Sequence, residues 1–126
     1  LNLSSHPLGS SYKTRITDSY NDDEIDVFGG HYILAFWGAG MGLTLGAMVD
    51  FKTGDIYELP LTIENSLRNC TYNDESNILY RSNSNLFVSY RCDVLNDYEL
   101  KLTYYKYLWN GQKFKLIGTK ECIKNW

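Results

Sequence analysis

Apolar and polar residues alternate along much of this chain with the two-residue period of β-strands, and the clearest run lies between residues 28 and 60. Residues 31–37 are apolar on both faces once His31 is passed, the pattern of a strand covered on both sides. Leu43, Leu45, Ala47 and Val49 then alternate with Thr44, Gly46, Met48 and Asp50, which predicts a strand with one buried face. Lys52-Thr53-Gly54-Asp55 supplies a reversal in which Gly54 takes the positive φ of a tight turn. Residues 56–59 return as a third strand and stop at Pro60.

The same period predicts elements on either side. Tyr12, Thr14 and Ile16 alternate with Lys13, Arg15 and Thr17, a short strand over residues 12–17 with a cationic outer face. Residues 1–11 carry no periodicity and read as a loosely held terminus that adds little to the core. Asp18, Asp22, Asp23, Glu24 and Asp26 are dense enough to oppose burial, so residues 18–26 are expected as a solvated loop or a helical turn. Residues 61–76 read as a long connection with a short strand or turn of helix near residues 63–67. Residues 78–81 and 86–91 flank Ser82-Asn83-Ser84-Asn85, a hairpin signature in which Leu86, Val88 and Tyr90 share a face.

Residues 100–109 form a strand with an apolar face of Leu100, Leu102, Tyr104 and Leu108 and an aromatic face of Tyr105, Tyr107 and Trp109. Asn110-Gly111 signals a two-residue type I′ reversal, after which Phe114 and Leu116 return with Lys113 and Lys115 outward. The expectation is a mainly β single domain over residues 1–126 with about seven strands and little helix: an antiparallel meander curling into a barrel or sandwich.

Composition narrows the class. At 126 residues the chain suffices for one core, and 15% aromatic residues with eleven Tyr favour sheet over helix. A net charge of -3 with interspersed signs makes nucleic acid and anionic membrane poor partners. No apolar stretch reaches the roughly 20 residues of a membrane helix, so membrane insertion is not expected. A first residue Leu1 in place of Met reads as a trimmed product from which a signal peptide would already be gone. Cys70, Cys92 and Cys122 lack the paired spacing of zinc sites, which leaves buried thiols or one disulfide with a thiol over.

Candidate chemistry is sparse. His31 stands at a strand start with Glu24, Asp26 and Asp50 as neighbouring acids, a pairing that could make a general base or simply hold the loop through a hydrogen bond. Gly38, Gly40 and Gly42 could expose amides to an anion, or could form a bulged turn; no helix follows to complete a nucleotide fingerprint. Asp22, Asp23 and Glu24 lack the spacing of a calcium loop and read as a charged surface able to meet a basic partner, so no metal or cofactor is expected. Tyr105, Tyr107 and Trp109 are either a partner-binding surface or a second core layer.

One resemblance bears on these alternatives. Phe28, Gly30, His31, Tyr32, Trp37, Gly38, Gly40, Gly46, Ala47, Asp50, Lys52, Thr53, Gly54, Tyr57, Leu59 and Pro60 match the core pattern of a family of small exported bacterial proteins of unassigned function. Lys13 to Ile16, Tyr104-Tyr105, Trp109-Asn110-Gly111 and Phe114 to Ile117 fit as well, so the chain resembles that family over most of its length. Where members commonly carry cysteines beside the Trp-Gly-x-Gly glycines, this chain has Ala39, Met41 and Leu43. The resemblance implies a periplasmic or secreted location, and with it one disulfide: Cys70 with Cys92, or Cys92 with Cys122. The missing nucleophile elbow and nucleotide fingerprint, on an exported sheet scaffold, point to a non-catalytic cell-envelope binding protein, an inhibitor or immunity-type protein occluding a partner such as a secreted toxin or enzyme, with a purely structural accessory domain as a third possibility. The alternative is an envelope hydrolase or small-ligand binder around His31, Asp50, Gly38 and Gly40.

Overall fold

Two strands organise the chain. β2 (Tyr32–Gly38) and β3 (Thr44–Asp50) pair antiparallel from Tyr32↔Asp50 to Gly38↔Thr44, with β1 (Val27–Phe28) on one side and β4 (Ile56–Glu58) on the other. A computed structural model of the chain describes residues 1–22, 27–38, 43–66 and 78–125, the side chain of Ile63 excepted. The second sheet follows in order β5 (Ile78–Tyr80), β6 (Leu86–Val94), β7 (Glu99–Trp109) and β8 (Phe114–Asn125). Every pairing is antiparallel, and neither sheet closes on itself, so the sandwich of the two expected outcomes is the one adopted. The described strands number eight; β1 is an addition to those expected, and residues 12–17 are not among them.

Both faces of the first sheet are covered, which is why it is apolar throughout. One face carries Tyr32, Leu34 and Met48 into a cluster with Phe87, Ile78 and Trp109 of the second sheet, and this is the main core. The opposite face carries Ala35, Trp37, Ala47 and Val49 against helical residues. β3 therefore departs from the one-faced strand its alternation predicts: Met48 and Val49 point to opposite sides and both are buried. Gly46 fits this crowding, because a Cβ there would lie 2.7 Å from the Ala35 carbonyl oxygen.

The covering helices correct two expectations about the N-terminal segment. Residues 12–17 are not a strand: α2 (Lys13–Tyr20) is an α-helix, and Tyr12, Ile16 and Tyr20, four residues apart, all reach the second cluster. That spacing puts them on one helical face. Tyr12 stacks on Trp37 at 4.1 Å between ring centroids, and Ile16 is wholly buried. Nor do residues 1–11 stand apart from the core. A 3-10 turn (Leu3–Ser5) and α1 (Leu8–Ser11) place Leu3 and Leu8 against the same cluster.

The reversal between β3 and β4 forms as its residues predict. Gly54 has φ 79° and donates to the Asp50 carbonyl at 2.7 Å, while Asp50 Oδ1 accepts from the amides of Lys52 at 2.8 Å and Thr53 at 3.3 Å. The Asn2 amide donates to the Gly54 carbonyl at 2.7 Å and the Ile56 amide to Ser5 Oγ at 2.9 Å, which ties the first residues to this end of the sheet.

Past Pro60, α3 (Ile63–Ser66) supplies the turn of helix expected near residues 63–67, held by Asn65 donating to the Pro60 carbonyl and the Tyr107 hydroxyl, each at 2.7 Å. The β5–β6 hairpin forms as expected. The β7–β8 reversal is wider than a two-residue turn. Strand pairing ends at Trp109↔Phe114, and Asn110 Oδ1 accepts from the amides of Gln112 and Lys113, both at 2.9 Å. β8 runs to Asn125, so the closing segment is strand as far as it is described.

Candidate functional site

The strand register separates the parts of the expected small-molecule pocket. His31 and Asp50 meet at one end of the first sheet, where His31 Nε2 lies 3.8 Å from Asp50 Oδ2 and the imidazole packs on Tyr32 with ring centroids 4.1 Å apart. Gly38 sits at the other end of β2, opposite Thr44. At a strand rise of about 3.3 Å per residue the two ends are roughly 20 Å apart. Gly40 lies outside the described residues. Asp50 spends its other oxygen on two turn amides, and the His31 carbonyl accepts from the Phe51 amide at 2.9 Å. This constellation staples the ends of β2 and β3.

The aromatic face of β7 is corrected by burial. Trp109 is 3% exposed and lies between the sheets, with ring centroids at 4.9 Å from Phe114, 5.0 Å from Tyr57 and 5.6 Å from Tyr32. Tyr107 is half-buried, packs against the same cluster and accepts from Asn65 through its hydroxyl; Tyr105 is half-buried beside it in register with Ser89. Alternation assigned these three correctly to one face, but that face is turned toward the other sheet and cannot present Trp109 to a partner. Asp22 is exposed just beyond α2, whereas Asp23 and Glu24 lie outside the described residues.

The cysteines divide by register. Cys92 and Cys122 both stand opposite Leu102, one on each side of β7. Two strand spacings put their backbones about 9.5 Å apart, beyond the reach of a disulfide. Cys92 is disulfide-bonded and Cys122 is a free, half-buried thiol; Cys70, the expected partner, lies outside the described residues.

Two features escaped the sequence reading. The first is a cleft of about 460 Å³ between the end of β4 and the β7–β8 reversal, lined among others by His6, Tyr57, Glu58, Trp109 and Lys113. The Trp109 ring N–H, buried at its rim of the core, has no hydrogen-bond partner. Tyr57 has its phenol pushed above its usual value near 10, by desolvation first and then by the nearby charges of Asp55 and Asp50. Only the fold joins these residues, because His6 and Trp109 are far apart in sequence.

The second feature is the apolar surface left exposed on the second sheet and its turns. Except for Leu1 and Phe51, the large apolar residues left exposed among those described all belong to it: Leu79, Val94, Leu95, Tyr98, Leu108, Leu116, Ile117 and Ile123. Charge is segregated in the same direction. Residues 1–66 hold nine acids against three Lys or Arg, while residues 99–125 hold six Lys against two acids. The charges are thus not interspersed, and a segment-by-segment count would have shown it. Among the described residues no group of three His, Cys, Asp or Glu side chains gathers closely enough to hold a metal. Compared with family models, with curated proteins and with solved structures, the chain matches none.

Proposed function

We propose that this chain is a non-catalytic binding protein of the bacterial cell envelope, of the inhibitor or immunity type, which occludes a protein partner. The observation that carries the reading is the concentration of exposed apolar residues on the β7–β8 hairpin and the neighbouring turn, set among lysines. Large apolar residues left in water among charged ones mark interaction sites, and a rigid two-sheet scaffold offers them with little entropy lost on binding. The separation of His31 and Asp50 from Gly38 favours binding over the hydrolase alternative, since it leaves the expected catalytic groups employed in a turn. Envelope location rests on the family resemblance.

The test is recovery of an envelope protein held at equal stoichiometry, followed by assay of that partner with and without this chain. Inhibition that weakens at least about tenfold in Leu116→Glu and Ile123→Glu, with melting temperatures unchanged, is the expected result. Failure to hold any partner at equal stoichiometry, or a partner whose activity is indifferent to bound protein, rejects the reading.

A second reading, small-ligand binding, is favoured by the cleft in which Trp109, Tyr57, Glu58 and Lys113 converge. It predicts saturable quenching of indole fluorescence that Lys113→Ala and Glu58→Ala weaken.

A further inference from the structure

We propose that the free edge of β8 receives an extended acidic segment of the partner protein as an added strand; this rests on the binding function above and names the surface and the chemistry of what it binds. β8 closes the order β5-β6-β7-β8, so among the described residues one side of this strand has no neighbour, and a bulge at Ile117, where pairing passes from Tyr107↔Leu116 to Lys106↔Gly118, divides it into residues 114–116 and 118–125. The uninterrupted run of residues 118–125 offers a row of backbone N–H and C=O groups that is a template for another extended chain, and a lipid surface or a folded helix cannot complete it.

The side chains of β8 specify the occupant. Phe114, Leu116 and Ile123 stand opposite Trp109, Tyr107 and Lys101, which places them on one face. Lys115, Lys120 and Lys124 stand opposite Leu108, Tyr104 and Leu100, on the other. All three lysines are exposed and none makes an ion pair among the described residues, while Glu121, the acid of this strand, lies 4.0 Å from Lys101. The complement is a strand alternating aliphatic residues with Asp or Glu, its carboxylates facing the lysine row.

A second copy fits poorly. Antiparallel pairing about a two-fold axis keeps each face on its own side, so one lysine row would lie beside another. The local excess of cations in a chain of net charge -3 favours an acidic partner over self-association.

The proposal is tested with a labelled peptide of about ten residues, the length of a long strand, alternating Val and Glu. Controls are its Val–Lys counterpart, a Val–Glu peptide with two adjacent central amides N-methylated, and vesicles of anionic lipid. The full chain is compared with the K115E/K120E/K124E triple variant, whose substitutions are all on exposed positions. Anisotropy should show the Val–Glu peptide binding at least about tenfold more tightly than Val–Lys at low salt, weakening as salt is added. The triple variant should reverse that preference, and N-methylation should abolish binding.

Equal binding of both peptides, indifference to N-methylation, or attachment to vesicles without peptide binding overturns the proposal. So does a triple variant that self-associates while the parent ignores the peptides, since the lysines then only guard the edge. If the peptides fail but a stoichiometric partner is still inhibited, strand addition falls and the binding function stands. If the peptides bind and no envelope partner exists, the reverse holds.

Discussion

At the scale of single residues, burial decides which aromatic side chains are structural. Trp109 fills the space between the sheets, so Trp109→Ala should cost about 3–5 kcal/mol by cavity formation. Chemical denaturation measures it, and equal effects from Tyr105→Ala would contradict the core assignment of Trp109. Gly54 combines a left-handed backbone with a close approach: φ is 79°, and a Cβ would lie 2.9 Å from the backbones of Leu1 and Asn2. Gly54→Ala should therefore destabilise by more than the roughly 1 kcal/mol of a simple left-handed penalty, because the terminal segment must also move. Tyr57 supplies a pH dependence. Its phenol is raised in the folded protein, so its contribution to stability is complete below the unfolded value near 10 and is lost as pH rises through the folded one. Tyr57→Phe should remove a late-titrating phenol from the alkaline absorbance curve and flatten the loss of stability above pH 10.

At the scale of elements, α2 shows how two periods compete. Tyr12, Thr14 and Ile16 satisfy a strand, and Tyr12, Ile16 and Tyr20 satisfy a helix; over so few residues local pattern cannot choose. The choice is made by the outer face of the first sheet, where Ala35, Trp37, Ala47 and Val49 need a cover. Ile16→Ala should then cost about 2–5 kcal/mol, whereas Thr14→Asp, on the exposed side of the helix, should stay within about 0.5 kcal/mol. A strand would make the two substitutions comparable, so thermal melts of the pair separate the alternatives. β8 shows the opposite case. The strand character of its first residues, Phe114 to Leu116, was legible, but its extension to Asn125 and its position at an edge were not, since a strand's neighbours are fixed by the order in which the sheet assembles.

At the scale of the molecule, the cysteines report how the chain is tied together. Cys70–Cys92 as the bridge predicts that Cys122→Ser abolishes thiol labelling in denaturant without reductant, while Cys92→Ser adds labelling and lowers stability by about 2–4 kcal/mol. Retained labelling in Cys122→Ser would reject that pairing. Charge behaves as a whole-molecule property too: an acidic first half and a cationic final hairpin divide the charge along the chain, which the net value of -3 conceals.

The sequence by itself determined what is local. The strands between residues 28 and 60, the Asp50–Gly54 reversal and the β5–β6 hairpin follow from side-chain alternation and turn chemistry within a few residues. The tertiary structure alone decided what depends on contacts between distant segments. It turned the aromatic face of β7 inward, put His31 and Gly38 at opposite ends of one strand, folded residues 13–20 as a helix against the first sheet, and left β8 as a cationic edge. The physical reason is that alternation says which residues share a face, while only packing says which face meets protein and which meets water.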